Sequence, residues 1–266
     1  MNWSANEVFA PTGRPRDPVL TAHGLDQARD LASYLCSLPP SERPELIISS
    51  PYYRCLQTSI PSHESLRVPL VVEPGLAEWF PTAPPETGLH PSPARAETMR
   101  EWFPTLSLSW EPLLYPSNRG EDVAELHQRA RRCLELIEKR CQALGLQRVL
   151  LVSHAATLIA LGRALLEDDL KRTIQIGTGT ASLSKYTRRI NDGVVGSVWK
   201  QELNGDASFL RKGVEREWSF EHVPDNVSEP GMGQGWFDEE APSLSEPESS
   251  GMGADRSSTS GLTPKM

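Results

Sequence analysis

The sequence predicts an α/β fold, a three-layer sandwich in which helices cover both faces of a mostly parallel sheet. Short apolar runs rich in β-branched residues alternate with segments of helical periodicity, in the order helix, strand, helix, strand, helix, strand, helix. The runs ELIISS (45–50), VPLVVEP (68–74) and RVLLVSHAAT (148–157) begin as continuous apolar stretches, as strands buried on both faces do. With 266 residues, 38% of them hydrophobic, the chain can also bury a sizeable core.

The elements follow in order. Over 21–37, Leu25, Ala28, Leu31, Ala32 and Leu35 recur at helical spacing behind Thr21, whose hydroxyl can accept from an orphan backbone amide. Pro39-Pro40 ends that helix, and the strand 45–50 follows. A second helix starts at Pro51 and carries Tyr53, Arg54, Leu56 and Gln57; the strand 68–74 runs into the loop Gly75-Leu76-Ala77-Glu78-Trp79. Residues 81–119 hold eight prolines together with Trp102, Phe103 and Trp110, too apolar for a free linker. Short helices and turns folded back on the domain are expected there, forming a lid. Gly120-Glu121-Asp122 opens an amphipathic helix with Val123, Leu126, Ala130, Cys133, Leu134, Ile137 and Cys141 on one face, closed by Gly145. The strand beginning at 148 enters a polar turn and the helix 158–166; strands are expected at 178–188, 196–203 and 217–223.

After Val223 the composition shifts to Ser, Gly, Pro, Glu and Asp, which cannot bury enough apolar surface to offset the entropy of ordering. Two units are therefore expected: a domain over 1–223 and a disordered acidic tail over 224–266. The tail holds eight acids against Arg256 and Lys265, so it carries −6 of the net −8. The nearly neutral body offers no basic face for nucleic acid, and direct nucleic-acid contact is not expected. No stretch approaches the roughly 18 apolar residues of a membrane span and the N-terminus lacks a signal-peptide core, so no membrane association and a cytoplasmic or nuclear location are expected. Cys36, Cys55, Cys133 and Cys141 have no zinc-type spacing and read as reduced thiols; no metal and no cofactor are expected. Trp236-Phe237 beside acids could be a short docking motif, although a solubilising tail is the plainer reading.

Open α/β sheets place their ligands at the carboxyl ends of strands. Three such ends carry Arg54, Glu78 and His154. An arginine fork matches phosphate oxygens, the helix amides after Ser49-Ser50-Pro51 would add positive potential, a histidine can donate to a phosphoryl oxygen, and a carboxylic acid can protonate a departing alkoxide. Singly, each has an ordinary alternative as a surface ion-pair partner, a solvated loop residue or a hydrogen-bonded turn residue. Three at consecutive strand ends point to an anionic substrate.

The segments PVLTAHGLDQA (18–28), IISSPYYRCLQT (47–58), EPGLAEW (73–79), GEDVAELHQR (120–129) and LLVSHAAT (150–157) resemble, in order and spacing, the histidine phosphatase superfamily, also called phosphoglycerate-mutase-like. The resemblance runs from about Arg16 to Val223. It implies that Arg54 belongs to a phosphate pocket, that Glu78 is a proton donor, and that His154 is the pocket's second histidine. It also implies metal-free hydrolysis of a phosphomonoester, in a phosphorylated small molecule or a phosphoprotein, by two in-line transfers through a phosphohistidine. The family begins with a central strand ending in Arg-His-Gly, which this sequence lacks. Ala22-His23-Gly24 stands instead in the helix start that follows the family motif. A sheet that lost its first central strand would leave buried backbone groups unpaired. The expectations are therefore that Met1 is internal to a longer protein, that the full-length form is a phosphatase, and that the 266 residues alone turn over negligibly. The likeness is to fungal members, so the alternative is a non-catalytic scaffold or interaction subunit with protein-complex partners, such as a TFIIIC-type transcription factor component.

Overall fold

A computed structural model describes residues 11–169, 171–189, 198–221, 223–224 and 227–232. Its centre is a three-stranded parallel sheet in the order β2-β1-β3, formed by β1 (Leu46–Ser49), β2 (Leu70–Val72) and β3 (Val149–Val152). Ile47 pairs with Leu70 on one side and Leu150 on the other, so β1 is hydrogen-bonded along both edges. Alternate residues of β1 serve two layers. Leu46 and Ile48 pack with Leu126, Ala130, Cys133 and Ile137 of α4 (Val123–Ala143) and with Ala156 and Ala160 of α5 (Ala155–Leu165). Ile47 faces the other way, onto Leu31 and Leu35 of α1 (Ala22–Ser37) and Leu56 of α2 (Tyr53–Leu66). The three-layer α/β architecture is thus that expected from the apolar runs.

Local chemistry sets the helix ends. Thr21 caps α1 through a bond from the Gly24 amide at 3.2 Å, and Leu38 is extended ahead of the proline pair. Asp122 and Glu125 form a reciprocal capping box at the start of α4. The helix α5 starts at Ala155, three residues earlier than the apolar periodicity suggested, because His154 itself is the extended residue before its first turn. The thiols of Cys55, Cys133 and Cys141 are buried, Cys36 is half-buried, and all four are free.

The proline-rich segment is folded back on the domain. Its one short helix, α3 (Ala96–Met99), leads into Phe103 and Leu106, which complete the core around α1 and α2, and Ser107 N donates to Leu70 O at the edge of β2. Glu73, fully buried just past β2, anchors the rest. Its carboxylate accepts from Trp110 Nε1 (2.9 Å), Leu113 N (2.9 Å), Leu114 N (3.1 Å) and Gly75 N (3.0 Å). Pro91, Ser92, Pro93 and residues 116–118 then border a cleft with Tyr52, Glu78, Phe80 and Glu121, so the segment walls the site.

Of the three late strands expected, two are found among the described residues and one is not. The late strands β4 (Leu183–Arg189) and β5 (Val198–Asp206) form an antiparallel ribbon of their own, with no ladder to the parallel sheet among the described residues. The described part of 217–223 is not a strand: Trp218 and Phe220 pack edge-on against each other and onto Trp79 and His127, so their alternation reflects an aromatic cluster rather than a pleat. Of the acidic tail, residues 227–232 lie against the 82–89 stretch, where Glu229 N donates to Thr82 O, Gly231 N to Thr87 Oγ1, and Met232 N to Leu89 O. Trp236 and Phe237 fall outside the described residues.

Candidate active site

The carboxyl ends of β1 and β3 lie side by side, with Ser50 N donating to Val152 O at 2.8 Å. That register sets Ser50 beside His154, and the loop after β2 turns back across both. Arg54, in the first turn of α2, is thereby brought beside Glu78 and His154. Its Nη2 donates to Glu78 Oε2 and stands beside His154 Nδ1, both at 3.0 Å. The His154 Nδ1 to Glu78 Oε2 separation is 3.2 Å. All three residues singled out in the sequence are brought together.

Arg54 and His154 are buried, while about a fifth of the Glu78 side chain is exposed. Nδ1 stands between a donor, Arg54 Nη2 at 3.0 Å, and an acceptor, Glu78 Oε2 at 3.2 Å, while Nε2 lies 2.8 Å from the Ser50 hydroxyl, which can give or take a hydrogen bond, so the contacts serve either neutral tautomer. Burial holds the His154 pKa below its ordinary value, even with Glu78 alongside. Burial also works against ionisation of Glu78, but His154 and Arg54 more than reverse that and hold the carboxyl well below the usual range. In this arrangement Glu78 is a carboxylate, and it becomes an acid only when its partners turn to another anion.

Several contributors were not singled out in the sequence. Asp17, buried in the segment before α1, accepts from Tyr53 N at 2.8 Å and lies 3.4 Å from Arg54 Nη1. The amide at the start of α2 that was expected to offer positive potential is therefore already taken by a carboxylate. Arg54 Nη1 also donates to Arg16 O at 3.3 Å, the guanidinium stands over the Tyr52 ring at 4.6 Å, and its buried Nε has no partner. Tyr52 meets His154 edge-on, and Cys55 Sγ lies 3.6 Å from His154 Nε2. Behind Glu78, buried Arg129 pairs with Glu121 through Nε (2.7 and 3.0 Å) and donates from Nη1 to Gly75 O and Ala77 O. Thr157 Oγ1 also donates to Ala77 O, so the residue preceding Glu78 is held from two helices.

The other described histidines do not join this cluster. His23 is hydrogen-bonded to Glu215 at 2.6 Å, His63 to Val68 O, His90 to Pro81 O and His127 to Val123 O. Among the described residues no group of three or more His, Cys, Asp or Glu is arranged to hold a metal ion. No described helix is long and apolar enough to cross a membrane.

The parallel sheet thus gathers an arginine, a carboxylate and a histidine at its strand ends, where open α/β sheets place their ligands. Residues 2–199 match the histidine phosphatase superfamily (branch 1), and the chain belongs to that family. Among curated relatives, it is 32% identical over 257 residues to the transcription factor tau 55 kDa subunit of Saccharomyces cerevisiae, covering 86% of this chain and 58% of that subunit. The chain thus spans less than two thirds of that relative. It is 29% identical over 185 residues to phosphoserine phosphatase 1 of Hydrogenobacter thermophilus, covering 68% of this chain and 81% of that enzyme. A solved mycobacterial glucosyl-3-phosphoglycerate phosphatase with inorganic phosphate is similar at 20% identity and a TM-score of 0.48, covering 73% of this chain and 91% of that one.

Proposed function

We propose that Arg54, Glu78 and His154 are the phosphate pocket of a histidine-phosphatase-type phosphomonoesterase. Arg54 and His154 would hold phosphoryl oxygens, and Glu78 would protonate the leaving oxygen of a phosphorylated small molecule or phosphoprotein. The observation that carries this reading is the convergence of the three side chains within 3.2 Å at adjacent strand ends. A bound phosphoryl group would draw Arg54 and His154 away from Glu78 and set a dianion beside it; both changes raise the carboxyl's proton affinity, as a general acid requires. Phosphohistidine chemistry needs a histidine on an Arg-His-Gly strand, which the 266 residues lack, so the chain as it stands is expected to bind phosphate without turnover. The test pairs p-nitrophenyl phosphate hydrolysis with phosphate binding followed by 31P NMR. Negligible hydrolysis with binding that is lost in Arg54→Met supports the reading. Binding that survives Arg54→Met refutes the pocket, and hydrolysis abolished by His154→Ala refutes the absence of turnover.

A second reading, a non-catalytic subunit of a nuclear transcription-factor complex, is favoured by the 32% identity to the tau 55 kDa subunit. The carboxylates that already engage Arg54 fit a pocket kept for its structure. The full chain used as bait in a fungal nuclear extract would recover transcription-factor subunits, and their absence would count against this reading.

A further inference from the structure

Two carboxylates bracket Arg54. Glu78 takes Nη2 of Arg54, while Asp17 lies on the Nη1 side and simultaneously accepts the Tyr53 amide at the first turn of α2. Asp17 thus fills the position an incoming oxyanion would use, between a helix-terminal N–H and a guanidinium. Arg54 is only 5% exposed and its Nε has no hydrogen-bond partner, so the guanidinium keeps one unused, buried donor.

We propose that Asp17 is a resident counter-anion that determines which oxyanions the pocket accepts, so that binding a dianion requires Asp17 to take up a proton. The inference rests on the reading of Arg54 as a phosphate ligand and adds how that site is controlled. With Asp17 and Glu78 both ionised and His154 neutral, two carboxylates touch Arg54 directly and a dianion would enter against both, with Arg14 adding a positive charge on the Asp17 side. A proton on Asp17 removes one of the two charges opposing the dianion and leaves the carbonyl-type oxygen free to keep the Tyr53 bond.

Several ionisable groups face Asp17. Arg54 and Tyr53 of α2 and Arg14 of its own segment act directly on Asp17, and Tyr52, Cys55, Glu78 and His154 share its field. Burial is the largest influence and raises the Asp17 carboxyl to about 6, with Arg54 and the Tyr53 amide working against it. The tyrosine and the cysteine are pushed upward by burial, away from the neutral range. Glu78 and His154 are the other groups able to gain a proton when a dianion arrives, and both remain in every variant compared, so the difference between wild type and the Asp17 variants isolates Asp17.

The experiment uses sulfate, which stays doubly charged from pH 5.5 to 7.5, so the ligand's own titration does not intrude. Sulfate affinity is measured calorimetrically at both pH values for wild type, Asp17→Asn, Asp17→Ser and Arg54→Met, each checked for a cooperative melt. Asparagine keeps an oxygen for the Tyr53 amide, and serine is an alternative cap that guards against a misfolded first variant. At pH 7.5 Asp17→Asn is expected to bind sulfate at least about tenfold more tightly than wild type, since one opposing charge is gone. Wild type should tighten on acidification more steeply than either Asp17 variant. Equal affinities and equal pH slopes for wild type and the Asp17 variants, all lost in Arg54→Met, would overturn the role of Asp17 and spare the pocket. Binding that is unchanged in Arg54→Met, or absent from every variant at both pH values, would overturn the pocket reading and the inference with it.

Discussion

Removing Arg129 should loosen the support of Glu78 and unfold the domain at a much lower temperature. Arg129 and Glu121 are each only 6% exposed, so their pair is shielded from water and salt. Arg129→Met leaves the Glu121 carboxylate buried without its counter-ion, which in comparable pairs costs about 3–5 kcal/mol. It also strips the donor from Gly75 O, worth about another 1 kcal/mol, whereas Ala77 O keeps its bond from Thr157 at 2.8 Å. A total of about 4–6 kcal/mol is large against a domain stability of about 5–15 kcal/mol. In a chain of this size it lowers Tm by about 8–24 °C. Urea denaturation followed by tryptophan fluorescence reports it directly, because Trp79 Nε1 donates to Glu121 O. Glu121→Gln in the Arg129→Met background removes the stranded charge and should return about 2 kcal/mol. A single variant costing under about 1 kcal/mol, or a double variant less stable than the single, would refute the buried-pair account.

Asp17→Asn gives a pH-dependent stability difference whose sign is fixed. The folded-state carboxyl is raised from 3.8 to about 6, so the folded state binds more protons between those values and wild type loses stability as pH rises through them. Replacing a group so shifted should stabilise the protein by up to about 3 kcal/mol at pH 7.5 and leave it unchanged near pH 4, measured by denaturant melts at each pH. Gly120 sits at φ +83°, and a methyl there would lie 2.3 Å from Pro81 O; Gly120→Ala should cost at least about 2 kcal/mol. Gly145→Ala, also at positive φ but in open space, should cost only about 1 kcal/mol, and comparing the two melts checks that crowding adds to the backbone strain. With an aromatic disulfide reagent at pH 8, half-buried Cys36 should react in the native protein. Cys55, whose thiol burial pushes to about 12, and buried Cys133 and Cys141 should react only on unfolding.

The layers were legible because each rests on a period. Leu46, Ile47 and Ile48 form a continuous apolar run and supply both faces of a central strand, and α4 keeps its buried residues at helical spacing. Arg54, Glu78 and His154 could be picked out because strand ends are where such sheets gather ligands. The supporting residues have no comparable signature. Asp17 stands in an irregular Arg-Pro-rich stretch, and its partner amide is 36 residues away. Glu121 looks like part of a helix opening; only the fold shows Arg129, eight residues on, reaching back to bury it. Glu73 reads as a residue near the end of the strand 68–74, yet its four bonds fasten a segment whose path no local pattern describes. The misread run at 217–223 fails for the converse reason: Trp218 and Phe220 alternate like a strand but are placed by ring packing.

The edge of β3 explains why His154 is tied by so many side chains. Val149, Leu151 and Val152 are apolar yet only half-buried, the composition of an interior strand in the position of an outer one. Outer strands normally carry charges or proline that discourage pairing; VLLV has neither. Among the described residues no ladder braces this edge, so strand pairing fixes the start of the His154 turn from the β1 side alone. The remaining constraint comes from Ser50 Oγ on Nε2, Arg54 on Nδ1, Tyr52 against the ring edge and the α5 bond from Leu158 N to His154 O at 2.7 Å. The carboxylates that bracket Arg54 then serve orientation as well as charge: without Glu78 and Asp17 the guanidinium would keep only Arg16 O, His154 Nδ1 and the Tyr52 face, and its aim at His154 would loosen. The same contacts that hold the pocket together thus set the energetic barrier an oxyanion must overcome to enter it.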